Sequence, residues 1–251
     1  MEGGENRKPK IVSIVGLTTS GKTALGIQIA KQFNGEVISA DSRQVYCGLD
    51  IGTAKVTKEE QAIVKHHLID VAPAGGHFDV FAFQEMGYKA IDDILTRKKL
   101  PIIVGGTGLY SRSIVEGYNF KNGDNAPRYN VLQICLMPSK EFIRPLVEKR
   151  IDVRLEQGMI EETRSLIAEG VSEEWLRALG LEYYWNMEYI DGYITIDEYK
   201  EQLATKTMQY AKRQRTWFKK ERQEITHYLT EPEKYDRMSR ELVRDFLGGK
   251  K

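Results

Sequence analysis

Through the first half of the chain, short apolar runs alternate with stretches of helical spacing. Ile11 to Val15 is a largely apolar run that predicts a buried strand, and Thr23 to Phe33 places Leu25, Ile29 and Phe33 along one helical face. Glu36 to Ala40 predicts a second strand, ending at Asp41-Ser42, and His67 to Val71 a third. Phe81 to Lys98 has helical spacing (Phe83, Met86, Ile91, Ile94, Leu95), and Pro101 to Val104 is a strand ending in Gly105-Gly106. Thr107 to Glu116 predicts a helix stopped by Gly117, and Val131 to Met137 a further strand. From Ser139 onward the pattern is helical: Lys140–Glu156, Met159–Glu169, Glu173–Glu188, Ile196–Arg222 and a charged tail from Glu233, punctuated by Gly158, Gly170 and Gly192.

Strands alternating with helices predict an α/β fold, a doubly wound parallel sheet with ligands beyond the strands' carboxyl ends. Two parts follow: an α/β core over 1–138 and a helical C-terminal part over 139–251. The weakest join is Asn119 to Arg128, which is polar and turn-forming. No internal repeat or low-complexity linker is visible.

A net charge of +1 excludes a global attraction to nucleic acid, so any basic surface must be local. Cys47 and Cys135 lack metal-ligand spacing and read as free thiols of a cytoplasmic protein. No apolar run approaches membrane-spanning length, and the polar start Met1 to Lys10 is no signal peptide. The pair His66-His67 has no third ligand nearby and reads as structural.

Between the first strand and the first helix lies Gly16-Leu17-Thr18-Thr19-Ser20-Gly21-Lys22-Thr23, which fits G-x-x-x-x-G-K-[ST]. The glycines let the backbone curl so that N–H groups point at one anion. The helix N-terminus and Lys22 add positive charge, and the Thr23 hydroxyl suits Mg²⁺. Such a loop binds a diphosphate or triphosphate. Alone it points by default to a kinase or NTPase acting on ATP or GTP.

Several blocks narrow that default. Ile38-Ser39-Ala40-Asp41-Ser42-Arg43-Gln44-Val45-Tyr46 leads to Leu49-Asp50-Ile51-Gly52-Thr53-Ala54-Lys55, then His66-His67-Leu68-Ile69-Asp70 and Pro101 through Gly105-Gly106-Thr107-Gly108-Leu109-Tyr110. Near the end stands Thr207-Met208-Gln209-Tyr210-Ala211-Lys212-Arg213-Gln214-Arg215-Thr216-Trp217-Phe218-Lys219. In this order the blocks resemble the tRNA dimethylallyltransferases, whose smaller relatives are the adenylate isopentenyltransferases. The resemblance breaks at Tyr118 to Arg128, a short link where bacterial members carry a long helical insert that helps grip the anticodon stem-loop. Leu17 stands where a proline is usual, and Met208 and Lys219 where arginines are.

The resemblance implies transfer of a dimethylallyl group from dimethylallyl diphosphate to N6 of adenosine in tRNA, at position 37 next to the anticodon. The chain is expected to be a monomer with Mg²⁺ as cofactor. Asp41 matches the family's general base, which raises the reactivity of a poorly nucleophilic amine; an ordinary Mg²⁺-coordinating carboxylate is the other reading. Lys22, Thr107 and Arg213 complete the expected catalytic set. Residues 16–23 hold the diphosphate, and Asp41, Ser42, Arg43, Gln44, Thr107, Lys212 and Arg215 meet tRNA.

On a helix, Leu203, Tyr210, Gln214, Trp217 and Phe218 form a core-facing stripe bordered by Lys206, Arg213 and Lys220. Lys212, Arg215, Lys219 and Arg222 lie on the other face, as a solvated surface or an RNA track. Arg213 either reaches the diphosphate, as the resemblance implies, or packs. Tyr183, Tyr184 and Trp185 offer stacking surfaces for a base or belong to the core. Three alternatives stay open: prenylation of free AMP, ADP or ATP; a small-molecule kinase; and an RNA-binding remnant without turnover.

Overall fold

The computed structural model describes residues 8–248, so most of the polar start Met1–Lys10 lies outside the described residues. Six strands form one parallel sheet: β1 (Lys10–Gly16), β2 (Gly35–Ser39), β3 (His66–His67), β4 (Leu100–Gly105), β5 (Asn130–Leu136) and β6 (Thr226–Leu229), in the order β3-β2-β4-β1-β5-β6. β1 runs between β4, with Val12 opposite Ile102, and β5, with Val12 opposite Leu132. A strand covered on both faces has no reason to alternate, and Ile11 to Val15 is buried throughout.

One face of the sheet carries α1 (Lys22–Gln32) and α10 (Tyr235–Gly248), whose Leu25, Ile29 and Val243 pack with Val12, Ile14 and Ile102. α3 (Val80–Thr96) and α4 (Gly108–Val115) cover the other face through Phe83, Ile91 and Ile114. Beyond the carboxyl ends of the strands stand α5 (Lys140–Glu156), α6 (Met159–Ala168), α7 (Glu173–Leu179), α8 (Leu181–Ile190) and α9 (Ile196–Phe218). They share a core with the first strand's end, where Val15 and Leu17 meet Ile143, Val147, Tyr199 and Leu203.

Three expectations are corrected and one element is added. The strand expected over His67–Val71 stops after His67, because Leu68 (φ 62°) and Asp70 (φ 55°) sit in the left-handed region and turn the chain off the sheet. The helix expected over Glu173–Glu188 is two helices, split at Gly180 (φ 68°) and Leu181 (φ 42°). A short helix, α2 (Lys58–Ile63), begins at a Thr57–Glu60 capping box inside a stretch with no apolar period. The part after residue 138 is not wholly helical: β6 joins the sheet beside β5, pairing Gln133 with Thr226.

The histidine pair expected to be structural holds local contacts, and His66 Nε2 is buried without a partner among the described residues. His66 Nδ1 contacts the Val64 carbonyl at 2.8 Å, and His67 Nε2 meets Glu36 at 2.7 Å. Glu36 is only 1% exposed and also receives Arg97 and, at 2.8 Å, Lys99. Burial on its own would raise this carboxyl; the hydrogen bonds from Arg97, Lys99 and His67 outweigh it and hold it well below the usual carboxylate range. A depressed folded pKa gives stability that is full above the unfolded value, about pH 4.3, and is lost as pH falls through the folded one. Glu36→Gln should therefore destabilise the protein at pH 7, while the gap from wild type narrows steadily below about pH 4. Urea denaturation at pH 7 and pH 3 checks this; an equal gap at both would show that Glu36 ionisation contributes nothing.

Candidate active site

Because β2, β4 and β1 are neighbours, their carboxyl ends bring three loops side by side: Ala40–Gln44, Gly105–Thr107 and Gly16–Lys22. They open into a cleft of about 680 Å³, a size suited to small-molecule ligands. Thr18 through Thr23, Asp41 through Gln44 and Gly105 through Thr107 line it, together with α5, α8 and α9.

In the phosphate loop, Gly21 takes φ 87° and leaves the start of α1 without a side-chain cap, so the first helical N–H groups face the cleft. Lys22 Nζ lies 2.5 Å from the Leu17 carbonyl. Burial first, and then the nearby Arg150, push the Lys22 pKa down to about 8, a cation held where it needs an anion. Among the described residues, the hydroxyls of Thr19 and Ser20 are buried without partners. Leu17 is 1% exposed within the core, and its N–H donates to the Leu136 carbonyl at 3.2 Å, so its side chain stays out of the cleft. Gly16, at the strand end, does not line the cleft either.

On β2's loop, Asp41 Oδ1 accepts the N–H groups of Arg43 (2.9 Å) and Gln44 (3.3 Å). These bonds fix the carboxylate and leave Oδ2 without a partner among the described residues. Thr107 Oγ1 accepts the Ser42 N–H at 3.1 Å and donates to the Ser42 hydroxyl at 3.3 Å, joining the second loop to the first. Gln44 Nε2 donates to the Ala54 carbonyl at 3.2 Å.

α9 closes the cleft from above. Gln214 Oε1 accepts the Thr18 N–H at 2.7 Å, and Gln214 Nε2 donates to the Gly106 carbonyl at 3.0 Å. The helix approaches so closely that a Cβ on Gly108 would lie 2.2 Å from Trp217 Nε1. The core-facing stripe is as expected: Leu203, Gln214 and Phe218 are buried, with Tyr210 and Trp217 partly so.

A buried ion-pair cluster forms one wall. Glu182 accepts from Arg154 at 2.8 Å and Arg43 at 3.2 Å, and Arg154 also donates to the Gly52 carbonyl at 2.8 Å. Burial alone would raise the Glu182 carboxyl, but Arg154 and then Arg43 hold it below the usual range. Glu162 accepts the N–H groups of Asp50, Ile51 and Gly52 and the Tyr183 hydroxyl, at 2.6–3.0 Å.

Mg²⁺ fits this chemistry only in company. The cleft offers the Thr23 hydroxyl and Asp41, and no cluster of three acidic or histidine ligands occurs among the described residues. A magnesium ion here would take most of its oxygens from a diphosphate and water, as such ions commonly do.

A family model described as IPP transferase matches residues 44–126 and 119–221. The chain is 36% identical to a tRNA dimethylallyltransferase of Streptococcus pyogenes, covering 97% of this chain and 98% of the relative, and 36% identical to one of Streptococcus uberis. The chain belongs to the IPP transferase family. A solved tRNA delta(2)-isopentenylpyrophosphate transferase from Staphylococcus epidermidis superposes with a TM-score of 0.85 at 30% identity, covering 97% of this chain and 100% of that one. A eukaryotic dimethylallyltransferase acting on tRNA shares the fold, with a TM-score of 0.82 at 22% identity. The alignment with the Streptococcus pyogenes transferase runs over 299 positions, longer than this chain, and the family model matches in two blocks that meet at 119–126. The short link after Tyr118 is where this transferase lacks sequence that its relatives carry.

Among the residues expected to act, Asp41, Ser42, Arg43, Gln44, Thr107, Lys22 and Thr23 converge on the cleft. Arg213 does not: it is exposed, with its guanidinium 5.8 Å from the Tyr210 ring centre. Arg215 donates to the Pro138 carbonyl and Arg222 pairs with Glu224, which leaves Lys212 and Lys219 as the exposed cations of that stripe. Tyr183 is fully buried, Trp185 packs into the core that holds Ile143 and Leu203, and Tyr184 is 37% exposed. Arg150 and Arg154 on α5, Glu182 on α8 and the bridging part of Gln214 are not singled out by the sequence pattern. A glutamine inside an otherwise apolar stripe was the one visible signal.

Removing one partner of a buried ion pair strands the other charge, so Glu182→Ala should cost about 3–5 kcal/mol. Urea denaturation measures it; a cost below about 1 kcal/mol would show that Arg154 and Arg43 find other partners or water.

Proposed function

We propose that this chain transfers a dimethylallyl group from dimethylallyl diphosphate to N6 of an adenosine in tRNA, beside the anticodon. The observation that carries the reading is the placement of one oriented carboxylate, Asp41, in the same cleft as an open phosphate loop. The relatives named for this activity, 36% identical over nearly their whole length, support it.

The exocyclic amine attacks the first carbon of the prenyl chain. The C–O bond to the diphosphate breaks, with its electron pair leaving on the diphosphate oxygen, and a new N–C bond forms. Asp41 accepts the amine proton; such base catalysis is worth about 10²–10⁴-fold. Lys22 and the N-terminal N–H groups of α1 take up the negative charge that develops on the leaving group. Thr23 would hold Mg²⁺, which, when bound, would neutralise diphosphate charge. The target base must leave its stack to enter a cleft beyond the sheet. Lys212 and Lys219 are the surface cations placed to meet RNA phosphates, and the chain is expected to act as a cytoplasmic monomer.

A second reading, prenylation of free AMP, ADP or ATP, is favoured by the short link at 118–128, which removes surface available for RNA. Incubation with dimethylallyl diphosphate and either tRNA or AMP separates the two. The reading here expects prenylated tRNA, with diphosphate released in equal amount; faster modification of AMP would overturn it. Asp41→Asn should lower turnover by about two orders of magnitude while diphosphate affinity stays near wild type. Loss of diphosphate and Mg²⁺ binding in that variant would instead make Asp41 a metal ligand.

A further inference from the structure

The turn from Asp50 to Ala54 borders the cleft through Gly52, Thr53 and Ala54, yet the reaction given above uses none of its groups. Ala54 takes φ 47°, and its N–H donates to the Ile51 carbonyl at 3.0 Å, so the turn is tight. Three successive N–H groups, of Asp50, Ile51 and Gly52, point to one side of it. Such a concavity suits an anion, and the protein fills it itself: Glu162 on α6 accepts all three, at 2.9, 2.6 and 3.0 Å. Hydrogen bonds to a charged acceptor are roughly twice as strong as neutral ones, so one carboxylate fixes the turn.

The turn's other edge meets the Asp41 loop. Gln44 Nε2 donates to the Ala54 carbonyl at 3.2 Å and reaches the Thr53 carbonyl at 3.4 Å, which ties the Gln44 side chain to the turn. The Gln44 backbone N–H donates in its turn to Asp41 Oδ1 at 3.3 Å, beside that of Arg43 at 2.9 Å. A continuous path therefore runs from Glu162 through the turn and Gln44 to the Asp41 carboxylate. Thr107 holds the same loop at Ser42, so the turn secures its other end. The phosphate loop lies off this path, because Gln214 holds it from α9.

We propose that Glu162 is a positioning residue for the transfer: by gripping the Asp50–Gly52 turn it fixes Gln44, and through Gln44 the direction in which Asp41 presents its carboxylate. Glu162 itself does not line the cleft and takes no proton. The assignment rests on the reading of Asp41 as the base.

The test compares wild type with Glu162→Gln, Gln44→Leu, the double variant and Tyr183→Phe, by amide hydrogen exchange and by steady-state transfer from dimethylallyl diphosphate to tRNA. Glu162→Gln keeps the side chain's length but sets an NH₂ group against backbone N–H groups. The Arg43 and Gln44 amides of that variant should exchange about tenfold faster or more, as their bonds to Asp41 loosen. Its kcat should fall about tenfold with KM for dimethylallyl diphosphate within about twofold, because a misdirected base loses rate rather than donor affinity. Gln44→Leu should show the same split, and the double variant should be no slower than the slower single one. Tyr183→Phe removes the fourth bond on Glu162 without touching the turn, so it should lower the melting temperature while kcat stays within about twofold. If Glu162→Gln does not fold, Glu162→Asp, which keeps the charge but draws it back, must show the same split. Unchanged exchange at Arg43 and Gln44 overturns the assignment. So do a wild-type kcat in the Glu162 variant and additive losses in the double variant. A matching fall in Tyr183→Phe also overturns it, by tracing the effect to stability. If wild type transfers no prenyl group, the prenyl-transfer reading fails first and the assignment with it.

Discussion

Gln214 accepts the Thr18 N–H and donates to the Gly106 carbonyl, so one amide on α9 holds the phosphate loop and the Gly-Gly-Thr loop in fixed relation. Thr107, at the end of that second loop, then fixes the Asp41 loop through Ser42. Three loops from three adjacent strands are thus held by a chain of hydrogen bonds that starts on a distant helix. Without it, each loop would be an independent surface segment with its own mobility. A reaction that needs a proton acceptor and a leaving-group site at a fixed separation depends on such a frame.

The frame surrounds charge that the protein does not neutralise. Lys22 is pushed down to about 8 by burial and by Arg150, and Arg150 has no partner among the described residues. Burying unpaired cations is costly, and a binding site repays that cost only when an anion arrives. The cluster of Glu182, Arg154 and Arg43 next to it is balanced and reads as support. The contrast between neutralised and unneutralised cations separates the wall of the cleft from its working surface.

Much of this was legible in the sequence. The phosphate loop carries its own geometry in two glycines and a lysine, and β1, β4 and β5 are long apolar runs with no competing pattern. Asp41 and Thr107 were visible because each lies just beyond the carboxyl end of a strand. What stayed hidden depends on tertiary contact. β6 is four residues at the sheet edge with no turn signal to announce it, and its pairing with β5 joins positions far apart in the chain. Arg150 and Arg154 sit at helical spacing with Val147 and Ile151, and no period reveals which charged residues face a cleft. Arg213 misled because the edge of a stripe lies within reach of either side, and here the helix turns it outward.

A crystal structure with Mg²⁺ and a dimethylallyl thiodiphosphate, in which sulfur replaces the bridging oxygen and slows transfer, tests the central claim most directly. The account predicts the diphosphate on Lys22 and the N-terminus of α1, with the prenyl chain's first carbon turned toward the Asp41 side of the cleft and Asp41 itself off the metal. A diphosphate bound away from residues 18–23, or Asp41 coordinating the ion, would contradict it.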